Sequence, residues 1–265
     1  MAMQVKLTEG EQVRAAAKGT NNLEAYLKCL QANEYLNRGN IQRNALAKQL
    51  AKEAIALDPE YAWAYYVLAR THQIDMWHGT TKSPKESLVK AMELLQKAIA
   101  LDDTFAEAHS ELGFLFSIEK QYDKALALGE KAVALNPNSA DSHLRLGKIF
   151  VFAGRWEESI PEYKTAMRLN PIPPVLYFWS LGLSYGAIGQ YEEAITWCEK
   201  AVHQEPDSFF AHLMMTAVYS WSGRDKDAQA EAAEVLRINP KFSLDKFEKK
   251  AGKPLVKALR KAGLK

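Results

Sequence analysis

The sequence predicts an all-α solenoid built from six stacked helix pairs, and three observations carry this prediction. Segments of one pattern begin at Ala106, Ala140 and Val175, which lie 34 and 35 residues apart. Small residues recur at fixed places in these segments, and glycines and prolines stand where helices should end. A helix pair of this length cannot bury its apolar face alone, so neighbouring pairs must stack against one another.

The composition is that of a chain that folds around an apolar core. Of the 265 residues, 48% are apolar and 25% are charged, which excludes a wholly disordered chain. There is no run of about 18 uncharged apolar residues, so we expect no membrane span. The start lacks the apolar stretch of a secretory signal. Cys29 and Cys198 are too few and too far apart for a disulfide framework, so we expect a cytoplasmic protein.

The repeats divide the chain into three parts. We expect a linker or short helix over residues 1–24 and basic capping helices over residues 243–265. Between them, residues 25–242 hold six repeats, which we place at 25–61, 62–105, 106–139, 140–174, 175–208 and 209–242. The first two repeats are recognised by their second helices, ALAKQLAKEAIALDP and SLVKAMELLQKAIALDD.

Each repeat has small and aromatic residues where two helices must approach closely. Position 8 of the repeat is small throughout: Ala32, Ala69, Gly113, Gly147, Gly182 and Thr216. Position 11 carries a ring throughout: Tyr35, His72, Phe116, Phe150, Tyr185 and Tyr219. Small residues that face rings let neighbouring helices interdigitate without voids, so we expect both positions in the core.

Glycine and proline mark the predicted helix ends. Gly154, Gly189 and Gly223 fall between the two helices of repeats four, five and six, where a left-handed residue ends a helix at least steric cost. Lys120 replaces this glycine in repeat three. Prolines follow the second helix in five repeats and prevent its continuation: Pro59, Pro137, Pro171, Pro206 and Pro240.

Repeat two is ten residues longer between its two helices than the standard repeat of 34 residues. We expect its first helix to continue past Ile74 and to project Met76, Trp77 and His78. The next helix should begin with Ser83 as its N-cap, followed by Pro84 and Glu86 in a capping box. The insertion is either a binding element or an elaboration of packing.

This pattern resembles the tetratricopeptide repeat, a helix–turn–helix unit of 34 residues. The resemblance covers residues 25–242 and rests on the small, aromatic, glycine and proline positions described above. It implies a right-handed α–α superhelix in which each helix pair contacts only its neighbours. It also implies a binding surface, because positions 2, 5, 9, 12 and 13 of the first helix line the concave face in this family.

Aromatic side chains are frequent at these concave positions. The candidate partner-binding residues are Trp63, Tyr66, Arg70, Phe114, Lys148, Phe152, Leu176, Trp179, Leu183, Phe210, Leu213 and Trp221. Aromatic anchors with few polar groups are typical of interaction hot spots, so we expect a protein or peptide partner that offers an apolar helix or extended segment. Alternatively, a tight superhelix or the closing helices bury part of this surface.

One known mode of binding in this family does not fit the chain. Family members that hold a terminal carboxylate carry Lys and Asn at positions 5 and 9 of the first repeat. Here these positions are Cys29 and Asn33, so the lysine is missing. The cations Arg70 and Lys148 do not complete the group of side chains that holds a carboxylate in those family members. We therefore do not expect a charged C-terminal peptide as the ligand.

The motifs of common enzymes are missing from the sequence. It has no phosphate-binding loop, dinucleotide glycine fingerprint, His-Glu-x-x-His or nucleophile elbow. Gly182, Gly186 and Gly189 fall at repeat positions 8, 12 and 15, which explains them as packing and turn residues. We expect a protein that is not an enzyme and that uses no cofactor.

The histidines follow the repeat as well. Position 4 is occupied by His109, His143 and His212, and by Tyr65 and Phe178 in two other repeats, which indicates a spacer between helices. The spacing of His72, Asp75 and His78 would let them share a helix face. His72 occupies the ring position of repeat two, however, so we expect no metal site.

A finer resemblance concerns the two ends of the chain and the long second repeat. The opening LTEGEQVRAAAKGTNNLEAYLKCLQANEYLNRGN and the closing FSLDKFEKKAGKPLVKALRKAGLK are similar to the tetratricopeptide regions that follow the catalytic domain of bacterial class III adenylate/guanylate cyclases. This resemblance implies a regulatory or self-association module of a bacterial signalling enzyme, and homo-oligomerisation becomes an alternative to binding a different protein.

Positive charge is concentrated at the C-terminal end. The net charge of the chain is +2, but residues 241–265 carry nine basic and two acidic side chains. Such a tail either contacts nucleic acid or an anionic membrane surface, or forms a solvated cap. Ser243 and Pro254 can each open a helix with apolar residues on one face, so we expect the cap, without nucleic acid or membrane as a partner.

Overall fold

The computed structural model describes residues 19–37, 41–248 and 253–265, apart from the side chain of His78, and the regular structure in these ranges is α-helical. In chain order the helices are α1 (Leu23–Asn37), α2 (Ile41–Leu57), α3 (Ala62–His78), α4 (Pro84–Leu101), α5 (Ala106–Ile118), α6 (Tyr122–Leu135), α7 (Ala140–Phe152), α8 (Trp156–Leu169), α9 (Val175–Ala187), α10 (Tyr191–Gln204), α11 (Phe209–Trp221), α12 (Asp225–Ile238), α13 (Leu244–Glu248) and α14 (Lys253–Lys261). Most of the predicted linker, and Lys249 and Lys250 of the basic tail, lie outside the described residues.

The chain forms two compact units, which we call the N-terminal unit (up to Leu115) and the C-terminal unit (from Phe116), so the boundary falls inside α5. In the N-terminal unit α1 packs on α2 and α3, and α3 packs on α2 and α4. In the C-terminal unit α7 packs on α8, α9 on α10 and α11 on α12, while α9 also contacts α8 and α11. Helices thus pack in consecutive pairs, and the predicted all-α repeat fold is confirmed.

Small residues at position 8 allow the two helices of a pair to touch. A Cβ atom at Gly147 in α7 would lie 2.6 Å from Cε1 of Tyr163 in α8. A Cβ atom at Gly182 in α9 would overlap Sγ of Cys198 in α10 and lie 3.1 Å from the carbonyl oxygen of Ala194. These contacts leave no room for a side chain at either glycine.

The turns between paired helices use left-handed backbone, as predicted. The φ angles of Gly154, Gly189 and Gly223 are 76°, 82° and 78°. Lys120 holds the equivalent place in repeat three with a φ of 60°, so a residue with a side chain adopts the conformation that favours glycine. The left-handed conformation costs a non-glycine residue roughly 1–2 kcal/mol.

The long second repeat folds as its sequence predicts. Helix α3 continues past Ile74 to His78 and ends at Gly79, whose φ is 67°. The side chain of Trp77 is 47% exposed. Helix α4 begins at Pro84, and Oγ of the N-cap Ser83 accepts a hydrogen bond of 3.3 Å from the backbone N–H of Glu86.

The C-terminal helices cover the end of the C-terminal unit. Helix α14 packs on α11, and the apolar side chains of this region are buried: Leu244, Leu255, Val256, Leu259 and Leu264. The backbone N–H of Leu244 donates a hydrogen bond of 2.7 Å to the carbonyl oxygen of Lys265. The lysines of this region that the structure describes are exposed, as expected for a solvated cap.

Position 4 of the repeat is more than a spacer. In repeat four, Nδ1 of His143 lies 2.6 Å from Oε2 of Glu162, and Nε2 lies 3.0 Å from the carbonyl oxygen of Pro137. The same arrangement recurs in repeat six with His212, Glu231 and Pro206. Each imidazole ring therefore lies between two oxygen atoms, one on a glutamate and one on the backbone. Each histidine thereby joins both helices of its pair to the end of the preceding repeat.

Candidate partner-binding surface

The twelve candidate binding residues divide between the two compact units. Four of them, up to Phe114, belong to the N-terminal unit, and eight, from Lys148 onward, belong to the C-terminal unit. The two groups differ in the ring contacts that their aromatic side chains make.

In the C-terminal unit the structure brings two of the candidate rings into contact. Trp179 in α9 and Phe210 in α11 stack with ring centroids 5.5 Å apart and ring planes inclined by 25°. Trp179 is half-buried and packs against the core of the unit, whereas Phe210 is 47% exposed. The pair thus has a supported ring and an accessible ring, and offset stacking of this kind favours a fixed geometry.

Further rings extend from this pair toward the C-terminal helices. Phe209 lies edge-on to Phe210 at 5.2 Å and contacts Phe242 at 5.3 Å, and Phe242 lies 5.9 Å from Phe247. We call these five residues, from Trp179 to Phe247, the aromatic row. Phe209 and Phe242 are not among the candidates predicted from sequence because both lie outside the concave register, although the adjacent phenylalanines at 209 and 210 are a visible signal.

Leucines lie beside and beneath the stacked pair. Leu183 and Leu213 are 8% and 0% exposed, so these two candidates contribute to the core under the surface and offer almost no area to a partner. Leu176 is half-buried and packs against the same core. A rigid apolar base of this kind holds Trp179 and Phe210 in place.

Trp221 at the end of α11 packs across α9. A Cβ atom at Gly186 would lie 3.0 Å from two carbon atoms of the indole ring, so the absence of a side chain at 186 makes room for the tryptophan. Trp221 is half-buried against the core. This contact confirms that Gly186 is a packing residue. The remaining candidates of this unit lie on α7, where Phe152 is 37% exposed and Lys148 is half-buried.

In the N-terminal unit the candidate rings contact other rings of the same unit. The ring centroid of Trp63 lies 6.2 Å from that of Tyr26 and 6.1 Å from that of Tyr61. The ring of Tyr66 lies 5.1 Å from Phe105. These contacts give the aromatic residues of α3 a packing role, and both candidates are half-buried.

Arg70 is held by the neighbouring repeat. Its Nη1 donates a hydrogen bond of 2.7 Å to Oδ1 of Asn33, and its guanidinium carbon lies 5.8 Å from the ring centroid of Tyr66. Asn33 and Arg70 both occupy position 9, so one polar contact joins equivalent places in repeats one and two. Phe114, the fourth candidate of this unit, is half-buried.

A polar cluster connects α2 and α3 beside the insertion. Asp75 forms an ion pair with Lys48 and accepts hydrogen bonds from Nδ2 of Asn44 at 2.7 Å and Oγ1 of Thr80 at 2.8 Å. Burial raises the pKa of Asp75, but these donors outweigh it, so the pKa lies below its usual value. Burial, and next the charge of Lys48, lower the pKa of His72 to about 4.

The histidine, cysteine and acidic side chains of the described residues do not assemble a metal site. Among them there is no group of three or more histidine, cysteine or acidic residues that could hold a metal ion. Both cysteines are buried, and burial raises the pKa of Cys29 to about 12 and also raises the pKa of Cys198. A thiol of this kind is a weak nucleophile at neutral pH. The described helices also include none that is long and apolar enough to cross a membrane.

Consecutive helix pairs with small contact residues and left-handed turns define a helical-repeat protein. Residues 118–171 and 177–208 match family models described as the tetratricopeptide repeat. The chain therefore contains tetratricopeptide repeats, as the sequence pattern indicates.

A curated relative is the putative adenylate cyclase 3 of Rhizobium meliloti (strain 1021), which is 30% identical to this chain over 126 residues. The match covers 46% of this chain and 21% of the relative, so the chain spans about a fifth of the length of that protein. This likeness is consistent with the tetratricopeptide region that the sequence resembles.

Solved structures share the fold. YrrB, described as a TPR protein with an unusual peptide-binding site, has a TM-score of 0.51 and 21% identity, covering 76% of this chain and 98% of that one. PilF of Pseudomonas aeruginosa has a TM-score of 0.61 and 18% identity, covering 86% of this chain and 98% of that one. At these identities the likeness concerns the fold alone.

Proposed function

We propose that the chain is a non-catalytic scaffold that binds an apolar peptide or helix of a partner protein, and that Trp179 and Phe210 are the centre of the contact. Tetratricopeptide repeats support a role in protein–protein interaction. The observation that carries the finer proposal is the stacked pair itself, in which a supported indole lies under a phenyl ring that is 47% exposed.

The energetics of the pair favour an apolar partner. Covering apolar surface contributes about 25 cal/mol per Å², and aromatic anchors on a rigid base lose little side-chain entropy when they are covered. The neighbouring candidates Leu176 and Phe152 add apolar surface, and Lys148 is the one cation among the eight candidates of this unit. An amphipathic helix or extended segment with large apolar side chains fits this composition.

The basic residues of the cap lie outside this proposed surface. They are solvated, and two of the described ones form ion pairs: Lys261 with Asp225 at 2.7 Å and Arg260 with Glu248 at 3.2 Å. We therefore propose a protein partner and assign no role to nucleic acid or a membrane surface. Two buried, unpaired thiols accord with a reducing, cytoplasmic compartment.

The test begins with selection of peptides from a random library displayed against the purified chain. Binding of the selected peptides is then measured by calorimetry for the wild type, W179A, F210A and W77A. We expect either groove substitution to weaken binding by at least about tenfold, as loss of a hot-spot residue does. Trp77 is the matched control, because it is equally exposed but lies in the N-terminal unit. Unchanged binding to W179A and F210A, with unchanged helical circular dichroism, would contradict the proposal.

A second candidate function is a regulatory module of a bacterial nucleotide cyclase, and the observation that favours it is the likeness to a putative adenylate cyclase. The test is the DNA that precedes this coding segment in its genome. A cyclase domain in the same reading frame would support this function, and its absence from the preceding sequence would overturn it.

A further inference from the structure

The last helix carries its positive charge on one side. Lys253, Lys257, Arg260 and Lys261 are spaced so that they lie on the same side of α14, and we call these four residues the basic face. All four side chains are exposed. The apolar residues of α14 lie on its other side and are buried. The helix therefore presents only cations to its surroundings.

A solvated cap does not require this arrangement. Lys257 has a cation four residues away on either side, and like charges at this spacing destabilise a helix. The first turn of α14 holds Lys253 and no acidic residue, which opposes the helix macrodipole. The repeat helix α12, in contrast, mixes both signs and pairs Arg237 with Glu234 at 2.7 Å. A charge pattern that weakens its own helix indicates a role beyond solubility.

The basic face borders an open cavity of about 440 Å³. The four cations line this cavity together with Glu248 and Val256. Nη2 of Arg260 donates a hydrogen bond of 3.2 Å to Oε2 of Glu248, so the cavity already holds one carboxylate. Within the described part of the chain, Lys253 and Lys257 form no ion pair. The cavity can therefore take up further carboxylates.

The cavity adjoins one end of the aromatic row. Phe247, the last ring of the row, immediately precedes Glu248 in α13. Phe247 lies 5.9 Å from Phe242, and the row continues from there to the stacked pair of Trp179 and Phe210. A segment that lies along the aromatic row and extends past Phe247 therefore reaches the basic face.

The chemistry of the cavity favours separate carboxylate groups over a chain of phosphates or a bilayer. Arg260 lies 3.2 Å from Glu248 and 3.6 Å from Asp245, and these two carboxylates would repel a continuous phosphate backbone. None of the described residues that line the cavity has an aromatic ring on which a base could stack. The buried apolar side of α14 has nothing to insert into a membrane.

We propose that the partner segment has an apolar part followed by an acidic part, and that the acidic side chains bind the basic face while the apolar ones cover the aromatic row. This inference rests on the proposed function and names the chemistry of its partner. The acidic part fixes the direction of the segment, because only one end of the aromatic row meets the basic face. The site lies on the closing helix, outside the repeats, and takes side-chain carboxylates.

The test extends the peptides selected against the purified chain, at either end, by a run of glutamates or an equal run of glutamines. Calorimetry at low salt should give about tenfold tighter binding for the glutamate run at one end, as several exposed charge pairs together supply. The gain should disappear in K253Q/K257Q, and in the wild type at about 1 M salt. K97Q/K131Q is the matched control, since Lys97 and Lys131 are exposed on the repeat helices α4 and α6. Circular dichroism checks that both variants fold.

The glutamine-extended peptides separate this inference from the proposed function. If W179A weakens their binding but the glutamate run adds nothing at either end, or if its gain survives in K253Q/K257Q, the acidic part is wrong and the apolar contact stands. If W179A binds the glutamine-extended peptides like the wild type, both proposals are overturned. An oligothymidylate or phosphatidylserine vesicles that bind the basic face more tightly than the glutamate run does would assign it to nucleic acid or a membrane, and would also overturn this proposal.

Discussion

Repeat five and its two neighbours share one backbone arrangement and differ in chemistry at the same positions. At positions 4 and 23, repeats four and six carry a histidine hydrogen-bonded to a glutamate, whereas repeat five carries Phe178 and Trp197 with ring centroids 6.0 Å apart. At position 5, repeats four and six have the buried Leu144 and Leu213, and repeat five has the half-buried Trp179.

This difference teaches that the repeat fixes where a side chain lies and leaves its chemistry free. A polar pair and an aromatic pair bridge the same two helices, because both fill the space between positions 4 and 23 and leave no buried group without a partner. Position 5 is a buried packing position in repeats four and six, but in repeat five Trp179 is half-buried there and forms part of the surface.

The closest helix contact in repeat five is the most sensitive place. We expect G182A to lower the free energy of unfolding by about 3 kcal/mol, because the added methyl group overlaps Sγ of Cys198. The added substitution C198A should recover a large part of this loss. Urea unfolding followed by circular dichroism measures both. If G182A alone unfolds like the wild type, the two helices can separate more easily than the structure indicates.

The polar pair of repeat six can be exchanged for the aromatic pair of repeat five. We expect H212F to cost about 2 kcal/mol, because Glu231 loses its partner in a partly buried place. The double variant H212F/E231W should be more stable than H212F, since it restores a matched pair. A double-mutant cycle in denaturant is the measurement. If the double variant is no more stable than H212F, the two pairs are not interchangeable.

Repeat two has a histidine at the ring position where every other repeat has Tyr or Phe. Because the pKa of His72 is about 4 in the folded chain and about 6.5 in an unfolded one, the unfolded chain takes up the proton first as the pH falls. The free energy of unfolding should therefore decline as the pH falls from 6.5 to 4. Because the ring is only partly buried, we expect the decline to be limited to about 1–2 kcal/mol. H72F should have a smaller decline in urea titrations over this range. An equal decline in both proteins would assign the pH dependence to other groups.

The turn of repeat three can be given the glycine of its neighbours. We expect K120G to raise the free energy of unfolding by about 1 kcal/mol, because Lys120 has a φ of 60° where glycine is relaxed. The reverse exchange, G189K in repeat five, should destabilise by a similar amount. Thermal unfolding of K120G, G189K and the wild type measures both changes in stability. A loss of stability in K120G would show that the lysine side chain outweighs the strained backbone.

Much of the fold can be predicted from sequence because it depends on interactions between residues that are close together in the chain. The left-handed turns at Gly154, Gly189 and Gly223, the N-cap at Ser83 and the extension of α3 past Ile74 are all predicted from sequence and found in the structure. Each depends on backbone conformation or on hydrogen bonds within a few residues, and these are properties that a short stretch of sequence specifies.

The surface was less predictable, because it depends on contacts between repeats. Register alone placed Leu213 and Trp179 at the same position, yet one is buried and the other is stacked beneath Phe210. The hydrogen bonds of His143 were missed because the glutamate partner lies 19 residues further along, on the second helix. Side-chain size and neighbours, which a register does not contain, decide these outcomes.

The proposed contact with an apolar partner is centred on Trp179 and Phe210. The most direct measurement is fluorine NMR of the chain labelled with 5-fluorotryptophan, with the Trp179 and Trp77 signals assigned through W179F and W77F, during titration with a selected peptide. We expect the Trp179 signal to shift in a saturable way while the Trp77 signal stays in place. A Trp179 signal that does not move while another tryptophan signal shifts to saturation would contradict it.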